Sequence, residues 1–336
     1  MPCCWRVRYI PSWANPYLNM CIDMMHQAEL ISQKPHIIIA TPGRLCDLLQ
    51  STNTKLLRLK YLVFDEADRL LDPASSFSAT EIPNIISYIR GNLSLRCLYF
   101  SATMSKAVCR FHQSQFPERP LRQFEKNGEL QASALVSQHY ILLPSMIRDA
   151  YIYSLLKSVL QDKAVIIFVG KCRICELLVK TLQKLKIRAV GLHGKMSQRD
   201  RIQSISLFRS GARHILISTD VGSRGLDIPA AEFVVNYTLP ADPRDYVHRI
   251  GRTGRAGRVG TSISFVHESD VELLRSIEQS IGQVLSPYPL SPKESEVLPL
   301  LGPVSSAKRE ISLLLHDQNF GEKAEINRKK WCRDKK

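Results

Sequence analysis

From His36 onward, short apolar runs alternate with stretches whose apolar residues recur every three or four positions. His36 to Ala40, Tyr61 to Phe64 and Cys97 to Phe100 read as buried strands, each followed by a helical pattern. The alternation resumes with Gln138 to Leu143, Ala164 to Val169, Arg188 to Leu192, His214 to Ser218, Phe233 to Asn236 and Thr261 to Val266. Strand–helix alternation of this kind predicts βαβ units, mostly parallel sheets and an α/β fold. The polar stretch Phe124 to Ser137 reads as a linker. It separates a first domain over 22–130 from a second over 131–285. From Ser286 to Pro303 five prolines predict an extended connector. Ser306 to Leu315 then looks helical, with Ser306 as its N-cap, and 286–336 forms a C-terminal extension. Residues 1–21, with two Trp and no period, stay unassigned.

Length and composition fit this division. A chain of 336 residues suggests two domains, and 44% apolar with 23% charged residues suffices for real cores. The net charge of +15 adds a partner to the picture. Lysines and arginines that meet phosphates release counterions, so an excess of positive charge favours a polyanion. Solubility alone is the plainer explanation, but the charge is clustered. Lys186 to Arg224 holds eight Lys or Arg against Asp200 and Asp220, and Arg244 to Arg258 holds five against Asp245. The basic end, Arg328 to Lys336, reads as a nuclear-import or RNA-touching tail, or simply as a solvated terminus. Nine cysteines, an odd number, point to a reducing intracellular setting. Nothing resembles a signal peptide, and the apolar runs are too short to span a bilayer. Cys172-x-x-Cys175 has no second pair at matching spacing, so it reads as two small residues in the first turn of a helix rather than half a zinc site.

Candidate chemistry gathers where the apolar runs end. Asp65-Glu66-Ala67-Asp68 follows Tyr61 to Phe64. Ligands of open parallel sheets sit beyond the carboxyl ends of strands. Asp65 there can hold Mg²⁺ through water, and Glu66 can act as general base on an attacking water. Acids also sit at helix N-termini merely to oppose the dipole, so this run alone is weak evidence. Ser101-Ala102-Thr103 follows Cys97 to Phe100, and its hydroxyls can bond Asp68 or His248 or serve as an ordinary helix cap. Pro42-Gly43-Arg44 opens a helix after Thr41. Proline suits that position, glycine admits another backbone, and the N–H groups suit a phosphate; a plain βα turn is the alternative. His193 to Arg201 and Ser218 to Asp227 follow two further strands with small and hydroxyl residues that can admit a sugar–phosphate backbone. His248-Arg249-Ile250-Gly251-Arg252-Thr253-Gly254-Arg255 is dense enough in arginine to face a polyphosphate.

Taken together and in order, from about Ile22 to Ser280, these segments resemble the DEAD-box RNA helicases. The resemblance implies two RecA-like domains that close on ATP, Mg²⁺ and single-stranded RNA, the first of them incomplete here. It implies Asp65 and Glu66 for the metal and the hydrolytic water. Asp68, Ser101, Thr103 and His248 would couple hydrolysis to strand separation. Pro42, Gly43, Arg44, Gln198, Arg201, Thr219 and Gly222 would contact RNA. Asp227 would bind the ATP ribose, and Arg252 and Arg255 would reach the γ-phosphate. Arg309-Glu310, Phe320 to Lys323 and Glu325 to Lys330, with the Ile22-Asp23-Met24 opening and Lys34 to Leu45, are similar to the nucleolar branch that acts in ribosome biogenesis. That branch implies pre-ribosomal RNA and ribosome-assembly factors as partners, a nuclear and nucleolar location, no membrane, and a monomer.

The sequence departs from the family at its start. No glycine precedes Gly43, and the two Gly-Lys pairs, Gly170-Lys171 and Gly194-Lys195, lack the earlier glycine of a G-x-x-x-x-G-K-S/T loop. The adenine-reading glutamine motif is also missing, and Met20-Cys21 stands where the family carries Gly-Gly. The simplest expectation is that the front of the first domain has been lost by splicing or gene prediction. The acidic strand would then have an exposed apolar edge, ATP would be held chiefly by the far domain, and hydrolysis by this chain would be greatly reduced. Two rivals stand beside an active helicase. One is a non-catalytic RNA-binding or partner-binding module, and the other is a DNA helicase of another superfamily, against which the Asp-Glu-Ala-Asp and Ser-Ala-Thr runs argue.

Overall fold

Among the described residues the strands form two sheets, and both are parallel throughout. The computed structural model describes residues 24–72, 80–92, 94–101, 106–124, 135–220, 228–255 and 257–317. The chain divides into two units, Met1–Gly128 and Glu129–Lys336. No helix among the described residues is long and apolar enough to cross a membrane.

In the first unit, β1 (Tyr61–Phe64) pairs with β2 (Arg96–Tyr99), Val63 lying opposite Leu98. The alternating direction of strand side chains turns Phe64 into a core with Leu71, Ala67 of α3 (Ala67–Leu70), Ile82 and Ile86 of α4 (Glu81–Ser87) and Val108 of α5 (Lys106–Gln115). Helix α1 (Met24–Ser32) packs on α2 (Pro42–Thr52) through Ile31 and Leu48, and a neighbouring cluster of Cys46, Leu49, Ile85, Ile89 and Leu95 joins α2 to the rest of the unit. Helix α2 has Pro42 in its first turn and ends at Asn53 in the left-handed region (φ 47°). Proline costs nothing at a position whose N–H has no helical partner, and asparagine tolerates the reversal that stops a helix. The opposite face of the sheet is apolar and open. Tyr61 and Val63 are each 52% exposed and Phe100 is 59% exposed. Among the described residues β1 pairs only with β2, so its other edge has no strand beside it.

His36 to Ala40 is not a strand, contrary to the sequence expectation. Its side chains do alternate: Ile38 and Ala40 pack on Ile31 and Leu48, while Ile37 and Ile39 are half exposed. The period of a strand is present, but among the described residues no neighbour completes a ladder.

The second unit is a seven-stranded sheet. Its strands are β3 (Val136–Leu142), β4 (Val165–Phe168), β5 (Ala189–Leu192), β6 (Ile215–Ser218), β7 (Phe233–Asn236), β8 (Gly260–Val266) and β9 (Ser286–Pro287). Their order in the sheet is β5-β6-β4-β7-β8-β3-β9. The central strands are buried along their whole length, which is why they read as unbroken apolar runs. Val165, Ile167 and Val169 point to one face, against α6 (Arg148–Lys157) and α7 (Cys172–Lys184). Ile166 and Phe168 point to the other, against Ile205 and Phe208 of α8 (Gln198–Arg209). A third cluster packs α9 (Pro243–Ile250) on α10 (Val271–Ile281) through Tyr246, Ile250, Leu274 and Ile277.

The proline-rich stretch is not the extended connector predicted from its composition. It adds β9 beside β3, then a short helix α11 (Glu294–Val297) and a long one, α12 (Leu301–Asp317). Helix α12 starts five residues ahead of Ser306, because Pro303 falls in its first turn, where a missing N–H is harmless. Val304, Ala307, Ile311 and Leu315 form its buried stripe. Lys308 Nζ bonds Asp149 Oδ2 at 2.5 Å, and Lys184 pairs with Glu310. Residues 286–317 therefore belong to the body of the second unit. The motif at Phe320 to Lys330 lies outside the described residues.

Candidate functional site

Several of the polar residues picked out by sequence follow the carboxyl ends of strands. In the first unit Asp65 and Glu66 come directly after β1 and Ser101 two residues after the last residue of β2. The backbone tightens there at a cost. Glu66 lies in the left-handed region (φ 51°, ψ 48°), worth roughly 1–2 kcal/mol of strain for a residue with a Cβ. Strain held at a strand tip is a mark of function. The Glu66 carbonyl accepts the N–H of Arg69 (2.9 Å) and Leu70 (3.0 Å), and Ala67 N–H bonds Phe100 O at 3.0 Å. Asp65 Oδ1 accepts the Glu66 N–H at 3.0 Å, with its carboxylate toward solvent. Asp68 is buried, and its N–H donates to Ser101 Oγ at 3.2 Å. The backbone of the third acidic residue is thus bonded to the hydroxyl run.

Pro42, Gly43 and Arg44 form the first turn of α2. Arg44 Nε donates to Gln27 Oε1 of α1 at 2.7 Å. A Cβ added at Gly43 would meet nothing within 4 Å, so the turn is open to an approaching backbone.

In the second unit His193 follows β5 and Thr219 follows β6, with Thr219 N–H donating to Leu192 O at 3.1 Å. Ser197 caps α8 by accepting the Asp200 N–H at 3.2 Å. Gln198 Oε1 then accepts from Arg201 Nη1 at 3.4 Å, and Arg201 is buried. His193 is buried too, its Nε2 3.2 Å from Glu176 Oε2 on α7. That bond holds the Glu176 carboxyl below its ordinary range, helped by Lys180 and opposed by burial. A depressed folded-state pKa adds stability above the unfolded value that is lost as pH falls through the folded one. The stability gap between the parent and Glu176→Gln should therefore be full at neutral pH and close in acid. Thermal melting from pH 7 to pH 3 would check this, and a constant gap would contradict it.

Helix α9 starts from Asp242, whose carboxylate accepts the Arg244 N–H at 2.8 Å, with Pro243 in the first turn. It carries His248 and ends at Gly251. Arg252 O accepts the Ala231 N–H at 3.1 Å. Arg255 is exposed, and its Nε donates to Gly251 O at 2.6 Å. Between them Thr253 is 1% exposed and donates to Ala231 O at 2.7 Å, with Glu232 O at 3.0 Å. The arginine turn is thereby tied to the start of β7.

Three residues singled out from sequence, Thr103, Gly222 and Asp227, lie outside the described residues. The Cys172–Cys175 pair is not a metal site. Cys175 is buried, its thiol donates to Ile217 O at 3.2 Å, and burial pushes it up to about 12. Among the described residues no group of three or more His, Cys, Asp or Glu is placed to hold a metal ion. An exposed single carboxylate such as Asp65 suits Mg²⁺ carried by phosphates and water.

Sequence reasoning missed Arg249 and its partner Asp220. The signal was the helical period, which groups Arg249 with the buried Tyr246 and Ile250 and apart from the neighbouring arginines.

Comparison with known proteins gives this layout its relatives. The DEAD/DEAH box helicase profile matches residues 18–111, and the helicase conserved C-terminal domain matches residues 148–257. The chain is 40% identical to the ATP-dependent RNA helicase dbp8 of Schizosaccharomyces pombe, over 92% of this chain and 69% of that protein. It is 38% identical to the probable ATP-dependent RNA helicase DDX49 of Mus musculus, over 92% of this chain and 64% of that protein. Among solved structures it is similar to S. cerevisiae Dbp5 bound to RNA and ADP BeF3, with a TM-score of 0.68 and 29% identity over 80% of this chain and 69% of that one. The DEAD-box helicase Mss116 bound to ssRNA and UDP-BeF gives a TM-score of 0.71 and 26% identity over 85% and 59% of the two chains. Two parallel α/β units, each with its motif residues beyond the carboxyl ends of its strands, are thus RecA-like domains, and the chain belongs to the DEAD/DEAH box helicase family.

Proposed function

We propose that this protein is an ATP-dependent RNA helicase that opens short duplexes in pre-ribosomal RNA. The observation that carries the reading is the placement of Asp65-Glu66, Ser101, His193 and Thr219 just beyond strand carboxyl ends, where α/β sheets bind ligands. Asp65 would hold Mg²⁺, which would supply charge to stabilise the phosphates. Glu66 takes the proton of the attacking water on its carboxylate, a contribution of about 10²–10⁴ in rate. Arg252 and Arg255 face the phosphate charge, a role worth about 10³–10⁵ in related phosphoryl transfers. Asp227 orients the ribose. Bound ATP supplies the phosphoryl group. Asp68, Ser101, Thr103 and His248 pass the nucleotide state on. Pro42, Gly43, Arg44, Gln198, Arg201, Thr219 and Gly222 hold the RNA backbone with little sequence preference. The sequence motifs at Lys34 to Leu45 and Phe320 to Lys330 support ribosome assembly, with assembly factors as partners, a nucleolar location and a monomeric chain.

RNA-stimulated phosphate release by the 336-residue chain, compared with Glu66→Gln, tests this. The 336 residues hold no G-x-x-x-x-G-K-S/T run, so the parent rate is expected to be slow but raised by single-stranded RNA. Glu66→Gln should fall to background while still binding RNA. Equal background release from both would contradict catalysis and favour the non-catalytic RNA-binding module.

A further inference from the structure

We propose that Arg249 is a positioning residue that locks the RNA-facing segment at Thr219 to the helix carrying the phosphate-facing arginines. This rests on the RNA helicase reading above. Arg249 sits on α9 with its side chain 3% exposed. Its Nε donates to Asp220 Oδ1 and its Nη2 to Asp220 Oδ2, each at 2.7 Å. Its Nη1 donates to Thr238 O at 2.6 Å and to Asn236 Oδ1 at 3.2 Å. The guanidinium carbon lies 5.3 Å from the ring centre of Phe168. One planar group therefore gathers the carboxyl ends of β4, β6 and β7 onto α9. Asp220 is the next residue after Thr219, and the arginine turn follows α9 directly. A shift of the Thr219 segment on RNA must move α9, and with it Arg252 and Arg255, or break the two bonds to Asp220.

Stability alone does not call for this arrangement. A buried ion pair can be replaced by apolar side chains of similar volume with little loss. What apolar groups cannot supply is a fork with fixed directions, and neither can lysine, a point donor on a flexible stem. The lock is thus a way of passing force between two ligand sites.

The test is the linkage between two probes on the full 336-residue chain. The affinity for a labelled oligouridylate is measured with and without Mg·AMP-PNP. The parent should bind RNA about tenfold more tightly with AMP-PNP, within the usual range of coupling between sites. Arg249→Lys should bring that ratio to about one, with RNA affinity in the absence of nucleotide little changed. The paired variant Arg249→Met with Asp220→Leu should stay folded, melting far closer to the parent than Asp220→Ala does, and also show a ratio of about one, which separates positioning from mere folding. A parent ratio retained in either variant would overturn the proposal. So would a parent that binds both probes with a ratio of one, although RNA binding would then stand. A parent that binds no oligouridylate would remove the RNA helicase reading itself, and the proposal with it.

Discussion

Asp220→Ala is expected to destabilise the second unit by about 3–5 kcal/mol, the usual result of stripping a buried charge of its partner. The guanidinium of Arg249 is nearly out of reach of water. Asp220 accepts two of that group's four hydrogen bonds, both at 2.7 Å. Without that carboxylate the charge stays buried among Phe168, Asn236 and Thr238. For a unit of this size the loss corresponds to roughly 6–20 °C in melting temperature. The paired apolar replacement of Arg249 and Asp220 should lose far less, because no charge is left behind. Melting of the three proteins checks the contrast. An Asp220→Ala variant as stable as the parent would mean that Arg249 finds another anion or reaches solvent.

Gly260→Ala should be nearly as damaging, at about 3 kcal/mol, the upper end of ordinary overpacking. A Cβ at Gly260 would collide with Thr253 Oγ1 and lie 2.5 Å from the backbone nitrogen of Gly254. Neither can yield easily. Thr253 is fixed by its bonds to Ala231 O and Glu232 O. Gly254 has φ 65° and itself abuts Val136 and Leu135. The relief open to the chain is displacement of the turn that bears Arg252 and Arg255. Denaturant unfolding should show the loss of stability, and RNA-stimulated phosphate release should fall with it. Parent-like stability in Gly260→Ala would show that the turn is more yielding than its bonding implies.

The fold was legible in sequence where strands are buried on both faces. In the second unit the runs from Ala164 to Thr261 mark their strands to within a residue or two, because nearly every position of those strands is buried. Legibility failed where local chemistry has two uses. Prolines between Ser286 and Pro303 punctuate loops, yet Pro303 opens α12 and Pro287 ends an edge strand. The run His36 to Ala40 has a strand's period without a ladder. At the site, small and acidic residues after apolar runs marked the strand tips. Arg249 stayed hidden because a count of charges treats all arginines alike, while burial on the Tyr246–Ile250 stripe separates it from Arg252 and Arg255.

The open apolar face of β1 and β2 has the opposite character. Its apolar groups, Tyr61, Val63 and Phe100 among them, stay half exposed, and none joins a buried cluster among the described residues.

The central claim is that the acids after β1 and the arginines after α9 serve one triphosphate. An experimental structure of the 336-residue chain with oligouridylate and Mg·AMP-PNP tests it most directly. Arg252 and Arg255 are expected within hydrogen-bond reach of the γ-phosphate, Asp65 on the hydration shell of its Mg²⁺, and Glu66 beside the in-line water. A nucleotide bound with those arginines turned away from its phosphates, or with Asp65 and Glu66 remote from them, would contradict the account.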